Sequence, residues 1–373
     1  MKTQITSSET HISKCFTQRV FRPSRKYASQ WRIRSRYIAF EKSMKYIYTF
    51  FFLILVISCS NSTKKTVTPK DYLDEVFKIV EEHSIRRDSV DFKEIKKEAY
   101  AKLKNEASIE NCYPIVKLIL VDLGDRHSFF LPKEQVEKWK STSKTVDKND
   151  IVTFNSKLLN KNIGYIHMKG FSSGDSVSSR QYADSLQNEI RSIDNEKLKG
   201  WIIDLRENTG GNCWPMLAGL GPLLGNGICG YFIDNNKKKS SWFYRDGESG
   251  NDSFTITKVS KRPYKLLNDL NPIAILTGRR TVSSGEVVVT AFHNKSNVRS
   301  FGESTGGLST GNAGFMLSDG SMIFLTTTID ADREGNIFGK RIEPDEMITT
   351  SYQSIGQPND SVIKRAINWI YKN

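Results

Sequence analysis

The chain has 373 residues and a formal net charge of +14, which at roughly 150 residues per domain allows two domains or one large one with attachments. It is too long to need disulfides for a core. Hydrophobic residues make up 38%, and with 25 glycines the apolar share is that of a globular protein, which excludes collagen-like and wholly disordered chains. The charge is unevenly placed: residues 1–43 hold ten Lys or Arg against Glu9 and Glu41, Lys45 adds one more, and residues 59–373 keep only +5. A basic surface for nucleic acid therefore loses most of its support, and no nucleic-acid partner is expected.

After Met44-Lys45, residues 46–57 (YIYTFFFLILVI) form an apolar run of signal-peptide length, too short to span a bilayer comfortably. It ends at Ser58-Cys59 and resembles a bacterial lipoprotein signal, in which the Cys59 thiol is acylated and the bond before it is cut. The competing readings are an ordinary signal peptide with a chance cysteine and an uncleaved membrane helix. On the lipoprotein reading residues 1–59 are an export segment with Met44 as the start. Residues 60–67 (SNSTKKTV) are a polar tether, and the protein is exported and lipid-anchored in the cell envelope. The later cysteines, Cys112, Cys213 and Cys229, have no CxxC spacing, although Cys213 and Cys229 could pair. His83, His127, His167 and His293 show no paired zinc pattern, so neither metal nor cofactor is expected.

Residues 68–132 read as an N-terminal helical domain. Thr68-Pro69 with Asp71 makes a helix start, Tyr72, Val76, Ile79 and Val80 share a face, and Phe92, Ile95, Ala99 and Leu103 repeat the pattern. A third helix over about 111–123 ends at Gly124. The charged stretch 133–150 reads as a connector. From 151 to 373 strands and helices alternate as in an α/β core: strand Ile163–Met168, helix 176–193, strand Trp201–Leu205, helix 213–224, strand Pro272–Leu276, helix 284–294. An insertion at about 230–271 reads as a β-rich cap, Phe315–Leu317 and Met322–Ile329 as a hairpin around Ser318-Asp319-Gly320, and 361–371 as a closing helix.

Three loops carry groups suited to chemistry. Asp125-Arg126-His127-Ser128 presents an imidazole, a general base at working pH, or merely a solvated His. Asp204-Leu205-Arg206-Glu207-Asn208-Thr209-Gly210-Gly211-Asn212 follows a buried strand. Its two glycines expose N–H groups able to hold an oxyanion, unless the loop is a tight turn with Asp204 and Arg206 paired internally. Thr281-Val282-Ser283-Ser284-Gly285-Glu286 puts serines at a helix N-terminus, where developing negative charge is favoured. Ser283 and Glu286 also have the spacing of a capping box. A phosphate or nucleotide enzyme built on Gly210-Gly211 lacks a P-loop Lys and metal carboxylates at motif spacing.

Base, oxyanion site and nucleophile together are the parts of serine acyl transfer. DLRENTGG, TVSSGE, GESTGG at 302–307 and Glu343-Pro344-Asp345, in that order, resemble the C-terminal processing peptidases and their tricorn-core relatives over roughly residues 70–350. The lysine of the tail-specific branch is replaced by Leu308, whereas Asp125-Arg126-His127 resembles the D-x-H element of the tricorn-like branch. The helical N-terminus, the L-G-D-x-H element and T-x-S-S-x-E are most similar to the nisin resistance protein group. The resemblance implies a ClpP/crotonase-like α/β core with a helical bundle and a small cap. It also implies no PDZ domain, since only about 35 residues separate His127 from the Ile163 strand. It further implies a serine endopeptidase acting on peptides or protein tails, with Ser283 as nucleophile and Ser284 as the alternative nucleophile or oxyanion amide. His127 is then the base, Gly210 or Gly211 the other oxyanion donor, and Asn212 a substrate contact. The group orienting His127 is expected to be Glu343 or, less well placed, Asp125. The peptide is expected to enter as an added strand. The alternative is an inactive peptide-binding lipoprotein of the same fold, which the sequence favours if His127 faces the helical bundle.

Overall fold

The computed structural model describes residues 67–103, 108–142 and 154–373. The export segment with Cys59 and the second half of the 133–150 connector lie outside the described residues. Among those described, no helix is long and apolar enough to cross a membrane.

Helix α1 (Pro69–His83) opens on a capping box: the Thr68 hydroxyl accepts from the Asp71 N–H, and the Asp71 carboxylate accepts from the Thr68 N–H. Helix α2 (Phe92–Leu103) and α3 (Tyr113–Asp122, entered through the 3-10 turn Glu110–Cys112) complete the bundle. Helices this short cannot bury their stripes alone. Tyr72, Val76, Val80, Ile119 and Leu123 share their core with Phe130 of strand β1 (Phe129–Leu131) and with Leu317, Ile323 and Leu325 from a hairpin late in the chain. The Tyr72 hydroxyl meets Ser321 Oγ at 2.7 Å within that contact. The first half of the polar connector is itself helical, α4 (Lys133–Thr142). Val136 is buried, and Trp139, one turn on, packs edge-on against Phe324 while staying partly exposed, a side of the helix that its charge obscured.

A six-stranded sheet follows, from β2 (Phe154–Leu159), β3 (Ile163–Met168), β4 (Gly200–Asp204), β9 (Ile273–Thr277), β10 (Val298–Gly302) and β13 (Glu346–Met347). Its spatial order is β13-β10-β9-β4-β3-β2, and every neighbouring pair except β2–β3 is parallel. Parallel strands need helical crossovers and are covered on both faces. Ile166, Trp201, Ile203 and Ile275 bury against α5 (Ser176–Ile193), α6 (Cys213–Leu224) and α7 (Ser284–Phe292), while Tyr165, Ile202, Ala274 and Leu276 bury against α8 (Ser361–Ile370). The alternation along β4 and β9 sends odd-numbered residues to one face and even-numbered ones to the other.

The second sheet has seven strands, β1, β5 (Gly227–Ile233), β6 (Lys239–Arg245), β7 (Glu248–Asn251), β8 (Phe254–Lys258), β11 (Thr310–Met316) and β12 (Met322–Asp332). The 230–271 stretch forms most of its β5–β8 meander, and β12 ties that meander to β1 and β11. Cys213 and Cys229 are both free thiols.

At the end of β4 the Arg206 guanidinium, fully buried, donates to both Asp204 oxygens and both Asp360 oxygens, and Tyr165 adds a hydroxyl to Asp204. The internal pairing of Asp204 with Arg206 is therefore real, and it extends to the residue that caps α8.

Candidate active site

The loops after β3, β4 and β9 emerge at the carboxyl ends of parallel strands, where α/β sheets collect their functional groups. Backbone bonds brace them: Phe171 N–H to the Gly210 carbonyl, Asn212 N–H to the Phe171 carbonyl, and Val282 N–H to the Asn208 carbonyl. The Thr281 hydroxyl donates to the Leu205 carbonyl at 2.8 Å.

Ser283 stands at the junction of the β9 loop and α7 with φ 52° and ψ −122°, a strained conformation for a non-glycine residue. Glu286 holds it there, since its Oε2 accepts from the Ser283 N–H at 3.0 Å and from the Leu308 N–H at 2.7 Å. The other oxygen accepts from Thr305 Oγ1 and from the Gly307 N–H at 3.0 Å. Burial raises the Glu286 pKa while these four donors pull it back. Sequence reasoning finds in Glu286 a helix cap only; its clamp on the 305–308 loop joins segments twenty residues apart and has no local signal.

His127 comes from the opposite side, on the loop between α3 and β1. Its Nε2 lies 3.0 Å from Ser283 Oγ and its Nδ1 lies 2.7 Å from Thr310 Oγ1. With Nε2 accepting the serine proton, Nδ1 carries the hydrogen and donates to the threonine. Asp125 lies beneath, accepting the N–H groups of His127 and Ser128 at 2.8 and 2.7 Å and the Ser128 hydroxyl at 2.6 Å. Asn312 Nδ2 holds the His127 carbonyl at 2.9 Å. Burial drives the His127 pKa down to about 4, and the Asp125 charge offsets part of that shift.

The group on Nδ1 is thus Thr310, where Glu343 or Asp125 was expected. Glu343 is exposed and accepts from Ser304 Oγ at 2.5 Å, because the chain at Ile342 pairs with Thr305 and leaves the next side chain on the outside. Asp125 turns the loop through backbone contacts. Thr310 escapes a sequence reading because a hydroxyl at a strand start has no motif of its own. It is expected to matter moderately: Thr310→Val should lower kcat/KM about tenfold by freeing the imidazole to rotate, and Thr310→Ser should restore most of it, read by initial rates on one peptide.

Ser284 points elsewhere, its hydroxyl donating to the Gly211 carbonyl at 2.7 Å. Gly210 and Gly211 have φ of 89° and 114°, which disfavour any side chain. A Cβ on Gly210 would lie 2.8 Å from Ser283 Cβ and 3.2 Å from the Ser284 nitrogen, so this glycine borders the serine directly. The Gly210 N–H is taken by Asn208 Oδ1 at 3.0 Å. The Gly211 and Ser284 N–H groups make no hydrogen bond among the described residues. Asn212 caps α6, with its Oδ1 accepting from the Trp214 N–H at 3.2 Å and its Nδ2 donating to the Ser173 carbonyl at 3.1 Å. Its side chain therefore anchors the 171–175 loop.

Within reach of the Glu286 charge, Asp330 is fully buried and neither oxygen has a hydrogen-bond partner among the described residues. Burial, and after it the Glu286 charge, push its pKa well above the carboxylate range. The folded protein then keeps a proton that the unfolded chain releases near pH 4, so stability falls as pH rises toward the folded pKa. Asp330→Asn should flatten this slope, its Tm falling less than that of the wild type as pH rises above about 4.

The arrangement supplies a hydroxyl, a base against it, and unengaged amides beside it, as acyl transfer to serine requires. Fold and site together place the chain in the class of the processing peptidases. The photosystem II D1 C-terminal processing protease has the same fold, with a TM-score of 0.52 at 13% identity over 75% of this chain and 93% of that one. Residues 162–348 match peptidase family S41, and the chain belongs to that family. It is 29% identical over 271 residues to the nisin-resistance protein of Lactococcus lactis subsp. lactis, covering 73% of this chain and 80% of that protein. A solved lipoprotein from Streptococcus agalactiae is 27% identical with a TM-score of 0.65, covering 82% of this chain and 96% of that one.

Proposed function

We propose that the chain is a serine endopeptidase of the cell envelope that hydrolyses peptide bonds in peptides or protein tails. The observation that carries this is the contact at 3.0 Å between His127 Nε2 and Ser283 Oγ, made by residues that no local structure brings together. Ser283 Oγ attacks the carbonyl carbon as His127 takes its proton, and the tetrahedral oxyanion is held by the Gly211 and Ser284 N–H groups, each worth about 3 kcal/mol of barrier. Collapse expels the amine, which takes the proton from His127. A water, deprotonated by the same nitrogen, then releases the acyl group. Thr310 keeps the imidazole in the tautomer that accepts at Nε2.

A neutral His127 is the working form, so protonation switches the base off. With its pKa lowered to about 4, kcat/KM is expected to hold through pH 5–6 and to fall only as pH drops through about 4. An acid limb near the ordinary value of about 6.5 would contradict that burial.

The function is tested by incubating the purified protein with a fluorophosphonate probe and with unstructured peptides. Covalent labelling together with peptide cleavage is expected; binding of peptides without labelling or cleavage indicates the inactive peptide-binding protein instead. We further propose that acylated Cys59 anchors the protein, in line with the lipoprotein relative from Streptococcus agalactiae. Cys59→Ala should then release it from membranes, and continued retention indicates an uncleaved helix.

A further inference from the structure

The seven-stranded sheet turns two unlike faces outward. One face of β1, β11 and β12 carries Phe130, Phe315, Ile323 and Leu325 into the helical bundle. Alternation puts Phe129, Phe324, Met316 and Met322 on the other face, and no helix among the described residues buries them as the bundle buries their neighbours: Phe129 is 45% exposed and Met316 43%. The base of the dyad is tied to this same sheet, since Asn312 of β11 donates to the His127 carbonyl. Thr310, at the start of β11 and beyond a register shift at Gly311/Asn312, is the residue that holds the His127 ring. His127 and Phe129 are two positions apart, so their Cα atoms are separated by at most about 7 Å.

The apolar strip is already assembled. Phe129 stacks on Phe324 with ring centroids 4.8 Å apart and planes 13° apart, and Trp139 of α4 meets Phe324 edge-on at 6.1 Å. Trp139 reaches the opposite bank as well, its indole N–H donating to the Ser172 carbonyl at 3.4 Å. That loop is the one fastened to Gly210 and Asn212. The aromatic ridge thus runs from beside His127 to the segment that supports the Gly210-Gly211 turn. Across from Phe324, Gly314 contributes no side chain, and a Cβ there would already be within 3.5 Å of the ring. Finally, β11 pairs with β12 and with no other described strand, so a peptide adding to its open edge would lay alternate side chains on this face.

Resting on the peptidase reading, we propose that Phe129, Phe324, Met316 and Trp139 form a subsite for one bulky apolar side chain of the substrate, aromatic or long aliphatic, about two residues from the scissile bond at about 3.3 Å per residue. Stacked rings lose little freedom on binding and offer large contact area.

The test uses peptide pairs identical except for Phe or Gly at one position, moved residue by residue through the three positions on each side of the cleaved bond. The readout is the ratio of kcat/KM within each pair, which does not depend on how much of a variant is folded. The wild type is expected to favour Phe at least tenfold at one position. Phe129→Ala and Trp139→Ala should bring that ratio to within about threefold of unity, and Phe129→Leu should restore most of it. Cleavage without preference at any position, or a preference untouched by these changes, overturns the subsite alone. No cleavage of any peptide overturns the peptidase reading and the subsite with it.

Discussion

Ser283→Ala is expected to abolish fluorophosphonate labelling and to lower peptide hydrolysis by a factor on the order of 10⁴–10⁶, while leaving the thermal midpoint within a few degrees of wild type. The hydroxyl is hydrogen-bonded to His127, and the residue's place in the chain is held through its backbone by Glu286. Removing Oγ therefore takes away the chemistry and little of the packing. His127→Ala should cost a similar factor, and the double variant should be no worse than either single one, because residues acting as a unit are not additive. Ser284→Ala sets the contrast. Its hydroxyl is committed to the Gly211 carbonyl, a bond worth about 1 kcal/mol, so the loss should stay below about tenfold while labelling persists. Labelling that survives Ser283→Ala and disappears in Ser284→Ala would move the attack one residue along and sink the assignment.

The contrast between the two serines also marks where sequence stops being informative. The helices near 176–193 and 213–224 and the strand 163–168 can be read from sequence because apolar periodicity is a local code, whereas the capping roles of Asp175 and Asn212 come from the structure. The loops after β4 and β9 can be found for the same reason, since strand, glycine or serine, then helix is a local pattern; the Asp125–Ser128 loop instead runs from a helix to a strand and is marked only by its Asp-x-His spacing. Which group touches which is not local. Thr310 reaches His127 across 183 positions, through a strand pairing that joins β11 to β12 and β12 to β1. A register shift between Gly311 and Asn312 separates Thr310 from the regular alternation of β11, and only the sheet order says what stands beside it. Glu343 illustrates the converse: its motif is legible, yet the pairing of Thr305 with Ile342 turns the next side chain outward. The helical character of α4 is hidden by composition, since Val136 and Trp139 are too few apolar residues in its span to give a periodic signal.

Glu286→Gln is expected to cost far more than its isosteric shape suggests. Each carboxylate oxygen receives a peptide N–H: Ser283 and Leu308 donate to one, Gly307 to the other, with the Thr305 hydroxyl joining the latter. A glutamine must present its own NH₂ to one of the two sides, and on either side it meets a backbone donor that cannot turn around. The Thr305 hydroxyl can reverse its hydrogen, but the Gly307 N–H cannot. One buried donor is thus left facing another, and the charge that strengthened the remaining bonds is gone. Bonds to a charged group are worth about 1.5–3 kcal/mol each, so a stability loss of about 2–4 kcal/mol is expected in urea unfolding. The effect on rate should exceed the effect on binding, because Ser283 holds a positive φ only while Glu286 grips its N–H. Released, it can relax toward ordinary helical geometry and carry Oγ away from His127 and the Ser284 N–H away from the oxyanion. Turnover should slow by about a hundredfold or more while KM changes by less than about threefold, on the scale of losing one oxyanion donor. Glu286→Asp, too short to reach both sides, should not rescue it. A Gln variant with wild-type turnover and reduced stability would assign Glu286 to packing alone and remove it from the positioning of the serine.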